Sequence, residues 1–186
     1  MSQEAEDKLK RMIEGVLSDS FEMSPEVKGK YLPTGKTVYI DYILRPKPEL
    51  INRGFKAGLI GLEVKSPELE GDVRKAIELA NQAMDYAESE FEGFGKPDFI
   101  LIFPVIEKHF KRHKDRNLDA ALLAIRCMSV LMQKRGVGGL DGRRNGDSRV
   151  NWQMRFGMSH VFWDCEKGKG NFDAVLHRDR WRGSKS

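Results

Sequence analysis

Cysteine is scarce in this chain. Of 186 residues only Cys127 and Cys165 carry thiols. Two are too few for a disulfide framework, and neither stands in a metal-ligand spacing. Long apolar runs are missing as well, so the sequence offers no candidate membrane span. The opening stretch MSQEAEDKLK is acidic and polar, unlike a signal peptide, which makes a cytoplasmic location with no membrane partner the expectation. No internal repeat and no domain boundary is found, and the chain reads as a single domain, 1–186. With 40% hydrophobic residues it can bury a sizeable core.

Charge is plentiful but unevenly placed. The net charge of +4 is the balance of two unlike parts. Residues 1–107 carry 14 Lys/Arg against 20 Asp/Glu, whereas residues 108–186 carry 18 against 8. A basic final third can hold a polyanion, and the alternative is a solvated tail.

Apolar spacing predicts a helix over residues 4–18, with Leu9, Met12, Ile13, Val16 and Leu17 on its buried face. SPEVKGKYLPTGK reads as a loop because of Pro25, Gly29, Pro33 and Gly35, and RPKPELINRGFKA reads as a second one. TVYIDYIL (37–44) and GLIGLEVK (58–65) alternate as strands. A long helix is expected over EGDVRKAIELANQAMDYAESEF, burying Val73, Ile77, Ala80, Met84 and Ala87. KPDFILIFPVI is apolar enough for an interior strand covered on both faces. After the basic linker EKHFKRHKDR, residues 118–133 form a helix apolar nearly all round, which predicts burial. Residues 136–149 read as a Gly/Arg-rich loop. VNWQMRFGMSHVFWDC resumes strand alternation with a break at Gly157, and Trp152 and Trp163 are expected in the core.

Chemistry concentrates on two strands. Asp41 is costly in a strand that packs on a core, and Glu63 and Lys65 share one face of the next strand. Two carboxylates brought together call for a cation, and Mg²⁺ accepts one or two protein carboxylates while keeping its waters. A neighbouring lysine can orient a water or offset charge on a phosphate. His109 and His113, four apart, have a zinc-like spacing, but their Lys and Arg neighbours would repel a cation.

Asp41, then Glu63-Val64-Lys65, then an amphipathic helix resembles the PD-(D/E)XK nuclease superfamily. The resemblance covers residues 1–104 and implies an α/β fold with an αβββαβ restriction-endonuclease-like core and mixed sheet. It leaves residues 105–186 as a basic α/β extension. It implies that Asp41, Glu63 and the Val64 carbonyl bind Mg²⁺ or Mn²⁺ and that Lys65 is the catalytic lysine. The leading helix is similar to that of archaeal Holliday-junction resolvases, which assigns a further metal-site role to Glu6, with Glu14 the competitor. Gln82 and Tyr86 match the QxxxY element of RecB-type members, whose side chains face the active site or the DNA. Ile40 stands where many members have a proline.

The function so implied is metal-dependent DNA cleavage, expected of an endonuclease. Phosphate contacts would come from Arg45, Lys111, Arg112, Lys114, Arg116, Arg143, Arg144 and Arg149. Cutting both strands needs two sites, so a homodimer is part of the expectation. The alternatives are a catalytically inactive nucleic-acid-binding protein with the same fold, and an RNA-directed nuclease.

Overall fold

Leu9, Ile13, Val16 and Leu17 recur at helical spacing and turn helix α1 (Gln3–Leu17) against one face of a β-sheet. The computed structural model describes residues 3–55, 58–66, 73–105, 118–144, 150–156 and 160–164. Along the chain follow β1 (Phe21–Tyr31), β2 (Thr37–Pro46), a short α2 (Pro48–Asn52), β3 (Ile60–Val64) and α3 (Val73–Ala87). Then come β4 (Ser89–Phe91), β5 (Phe99–Phe103), α4 (Leu118–Lys134), β6 (Val137–Arg144), β7 (Val150–Phe156) and β8 (His160–Asp164). The eight strands form one mixed sheet in the order β4-β1-β2-β3-β5-β6-β7-β8. β3, β5 and β6 run parallel and every other pairing is antiparallel. The sheet therefore continues without a break from the acidic part into the basic part.

Each face of the sheet has its own core. Ile13 and Leu17 of α1 pack with Tyr42, Leu44, Ile60, Leu62, Val64, Leu101 and Phe103, and this layer extends to Trp152 and Trp163. Ala76, Leu79, Ala80, Ala83 and Tyr86 of α3, with Met132 of α4, cover Ile40, Ile43, Ile100, Ile102 and Val137 on the other. β5 is buried at every position, as its unbroken apolar sequence predicts. Among the described residues no helix is long and apolar enough to cross a membrane.

Several expectations need correction. Residues 24–31 are strand and not loop, despite Pro25 and Gly29. β4 flanks β1 only from Gly29 to Tyr31, so Pro25 lies where β1 has a single named neighbour and its missing N–H breaks no second ladder. Gly29 is a packing residue, because a Cβ there would meet the Phe91 ring at 2.6 Å. The second predicted loop contains α2, with Pro48 in its first turn. The long helix stops at Ala87, and residues 89–91 pair as β4.

β6 runs through most of the stretch read as a Gly/Arg loop. Its glycines mark close approach: a Cβ on Gly138 would overlap the Arg155 carbonyl oxygen, and one on Gly139 would lie 2.6 Å from Val105. The buried face of α3 is also rotated from the expected one, with Ile77 exposed and four alanines facing the sheet. Met12 of α1 is exposed too. α4 is not buried all round, since Leu123, Val130 and Leu131 face outward while Met132 and Ser129 face in. A helix lying on a sheet has one face to bury.

Gly61 gives a direct test of this packing. A Cβ there would crowd Ile100 Cδ1 and sit 2.6 Å from Ile40 Cδ1. Both neighbours are side-chain ends that can shift, so Gly61→Ala should cost about 1–3 kcal/mol in chemical denaturation rather than abolish folding.

Candidate active site

β2 and β3 pair through Tyr42↔Leu62, Ile43↔Gly61 and Leu44↔Ile60. One step further along that register, Asp41 stands opposite Glu63. There the Asp41 side chain replaces the main-chain ladder: the Val64 amide donates to its Oδ2 at 2.7 Å. On the other edge β3 stays paired with β5, and the Lys65 amide donates to the Phe103 carbonyl at 2.8 Å. Glu63 and Lys65 thus sit at the carboxyl end of a parallel strand, where a carboxylate from the antiparallel neighbour reaches across.

Two helices complete the surroundings. α1 contributes Glu6 and Lys10, one turn apart. Lys10 Nζ lies 2.6 Å from Asp41 Oδ1 and 3.8 Å from Glu6, and Lys65 Nζ lies 3.3 Å from Glu6. Carboxylates and ammoniums therefore alternate in the order Asp41, Lys10, Glu6, Lys65. α3 contributes Gln82 and Tyr86: the Gln82 amide donates to the Tyr86 hydroxyl, which donates to the Tyr39 carbonyl at 2.5 Å.

The electrostatics follow from burial. Glu63 is 5% exposed. Loss of water pushes its carboxyl up to about 8, with Asp41 and then Glu6 adding repulsion and Lys65 opposing it. Burial also pushes the Tyr86 phenol up, reinforced by the charge of Glu63 beside it. For Lys10, burial favours the neutral amine. The hydrogen bond and charge of Asp41, with Glu6 and Glu63 behind it, more than reverse this and hold the ammonium above its ordinary value.

The residues expected from the sequence divide into three groups. Asp41, Glu63, Lys65, Glu6, Gln82 and Tyr86 come together at this end of the sheet, with Val64 in the backbone link. Glu14 is elsewhere engaged, accepting from the Tyr42 hydroxyl at 2.8 Å, while Glu6 faces Lys10 and Lys65. Arg45 stands apart: it is four residues along β2 from Asp41 and places its guanidinium 5.9 Å from the Phe94 ring centre. Arg143 and Arg144 end β6, opposite Asn151 and Val150. Because β6 runs parallel to β5 and β3, its end lies at the same end of the sheet as Lys65. Lys111, Arg112, Lys114, Arg116 and Arg149 lie outside the described residues, as do His109 and His113.

Lys10 is the residue that sequence reasoning missed. Its signal was the four-residue spacing from Glu6, which reads as an ordinary surface ion pair. Among the described residues no three His, Cys, Asp or Glu side chains group closely enough to hold a metal ion by themselves. Comparison with protein-family models, with curated proteins and with solved structures returns no match.

Proposed function

We propose that this chain is a metal-dependent nuclease of the PD-(D/E)XK type that hydrolyses phosphodiester bonds in DNA. The observation that carries the reading is the placement of Asp41 opposite Glu63, close enough for the charge of one to raise the pKa of the other. The element order supports it: with α2 and β4 set aside, α1-β1-β2-β3-α3-β5 follows the αβββαβ pattern.

The donor set fits a hard divalent cation. Asp41 and Glu63 offer oxygen ligands on adjacent strands, and a buried Glu63 repelled by Asp41 gains when a cation neutralises both. Glu6 and the Val64 carbonyl are the further oxygens that the resemblance assigns. When bound, Mg²⁺ or Mn²⁺ would supply Lewis acidity and a more acidic water. The chain's own residues do the rest. Lys65, 41% exposed and held by Glu6, offers an ammonium to the attacking water or to the phosphate. Tyr86, anchored to the Tyr39 carbonyl and flanked by Gln82, lies beside Glu63 on the α3 side. The basic final third grips the backbone.

The test is cleavage of linear, circular and branched labelled DNAs with Mg²⁺ or Mn²⁺, with RNA as a control. Metal-dependent strand scission that Asp41→Asn abolishes is the expected result. Binding without scission would leave a nucleic-acid-binding protein and overturn the proposal. For the basic part, Arg143→Ala/Arg144→Ala should weaken binding to all sequences alike. It should also reduce the log–log salt slope by about 0.9 for each phosphate that is no longer neutralised. An unchanged slope would mean that the end of β6 is merely solvated.

A further inference from the structure

Glu6 and Lys10 occupy successive turns of α1, and such i,i+4 pairs ordinarily close on each other for a few tenths of a kcal/mol. This one does not. Lys10 Nζ stands off Glu6 at 3.8 Å and reaches across to Asp41 Oδ1 at 2.6 Å, within charge-assisted hydrogen-bond range. The other oxygen of Asp41 is committed to the Val64 amide. The oxygen that β3 leaves available is therefore the one that an ammonium already covers. Lys10 is only about one-fifth exposed, and the carboxylates that influence it are Asp41, Glu6 and Glu63, the same set the proposed metal would need.

We propose that Lys10 is a built-in competitor for the divalent ion, its ammonium holding the cation position at Asp41 Oδ1 in the metal-free chain. This rests on the metal-site reading above and goes beyond it. A divalent ion bound at Asp41 and an ammonium in contact with the same carboxylate repel strongly in a partly buried site. Metal entry therefore requires the Lys10 ammonium to turn away from Asp41 Oδ1. Lys10 is thus a positioning residue. It keeps Asp41 paired and oriented before the metal arrives, and it lowers metal affinity by the free energy of breaking that ion pair.

Calorimetric titration with Mn²⁺ tests this on the intact chain. Removing the competing charge in Lys10→Met should tighten Mn²⁺ binding by about tenfold or more, whereas Lys10→Arg should stay at or below wild-type affinity. A purely structural role would not tighten binding. The melting temperature gives a second readout: metal-free Lys10→Met should melt below wild type, and added Mn²⁺ should raise it by more than it raises wild type. Should Lys10→Met not fold, Lys10→Gln keeps a hydrogen bond to Asp41 without the charge and carries the same expectation. Equal or weaker Mn²⁺ binding in a folded neutral variant, with wild type binding normally, overturns the competitor role and leaves the metal site standing. No Mn²⁺ binding in wild type or in any variant overturns both.

Discussion

Lys65→Ala is expected to lower DNA cleavage by about 10²–10⁴-fold, the range for loss of a positioned proton-transfer group, while Mn²⁺ binding stays measurable by calorimetry. Lys65 carries no metal-ligating atom. It is 41% exposed and its ion pair is with Glu6, so truncation opens no cavity and leaves Asp41 and Glu63 where they are. Asp41→Ala should lose cleavage and metal binding together, because a Mg²⁺-type site rests on so few carboxylates. That variant also removes the acceptor of the Val64 amide and the partner of Lys10, so a fall in stability would accompany it. Asp41→Asn separates the effects, since an amide oxygen can still accept from Val64. All three variants should bind DNA nearly as wild type does, through the basic third. Full cleavage by purified Lys65→Ala would reduce GLEVKSPE to an ordinary strand end.

The parts of the site that could be read in the sequence were those whose local pattern conflicts with burial. Asp41 interrupts an apolar strand, and Glu63 alternates with Leu62 and Val64, so a period of two sufficed to put both on a core-facing element. Glu6 came from the resemblance of the leading helix to that of the resolvases, with Leu9, Met12 and Ile13 matching its apolar positions. Lys10 obeys every rule for a solvated helix position. What recruits it is Asp41 Oδ1, thirty-one residues away in sequence, and no local pattern encodes that distance.

The fold shows the same division. β2, β3, α1 and α3 were legible because their apolar residues recur at the period of the element, and β5 because its apolar run is unbroken. β1 and β6 were obscured by glycine and proline, which read as turn residues when only local conformation is considered. In the sheet those residues answer to neighbours: Gly29 to the Phe91 ring, Gly138 to the backbone of β7 and Gly139 to Val105. α4 failed in the opposite sense. Its apolar composition suggested burial on all sides, but the number of covered faces is set by what packs around a helix and not by the helix itself.

Glu63→Gln should make the metal-free protein more stable than wild type in alkaline solution and nearly equal to it near pH 4. The sign follows from linkage. In the unfolded chain Glu63 loses its proton in the ordinary carboxylate range, near 4.5, whereas in the fold burial and Asp41 hold the proton until about pH 8. Between those values the folded state binds more protons than the unfolded one, so stability falls as pH rises through the window. Above it the wild-type fold bears the full cost of a buried, repelled carboxylate. A glutamine of the same shape bears none and can still hydrogen-bond toward Tyr86. The relief is on the order of a few kcal/mol, which in a chain of this size moves the melting midpoint by roughly 5–10 °C. Melting curves of both proteins from pH 4 to pH 9 would therefore diverge steadily and level off above pH 8. Curves that run parallel would mean that Glu63 is ionised and already compensated, with Lys10 and Lys65 as the groups responsible. Repeating the series with Mn²⁺ adds an independent arm: the metal should remove the alkaline penalty in wild type and give Glu63→Gln much less, because only the carboxylate gains by ionising beside a cation.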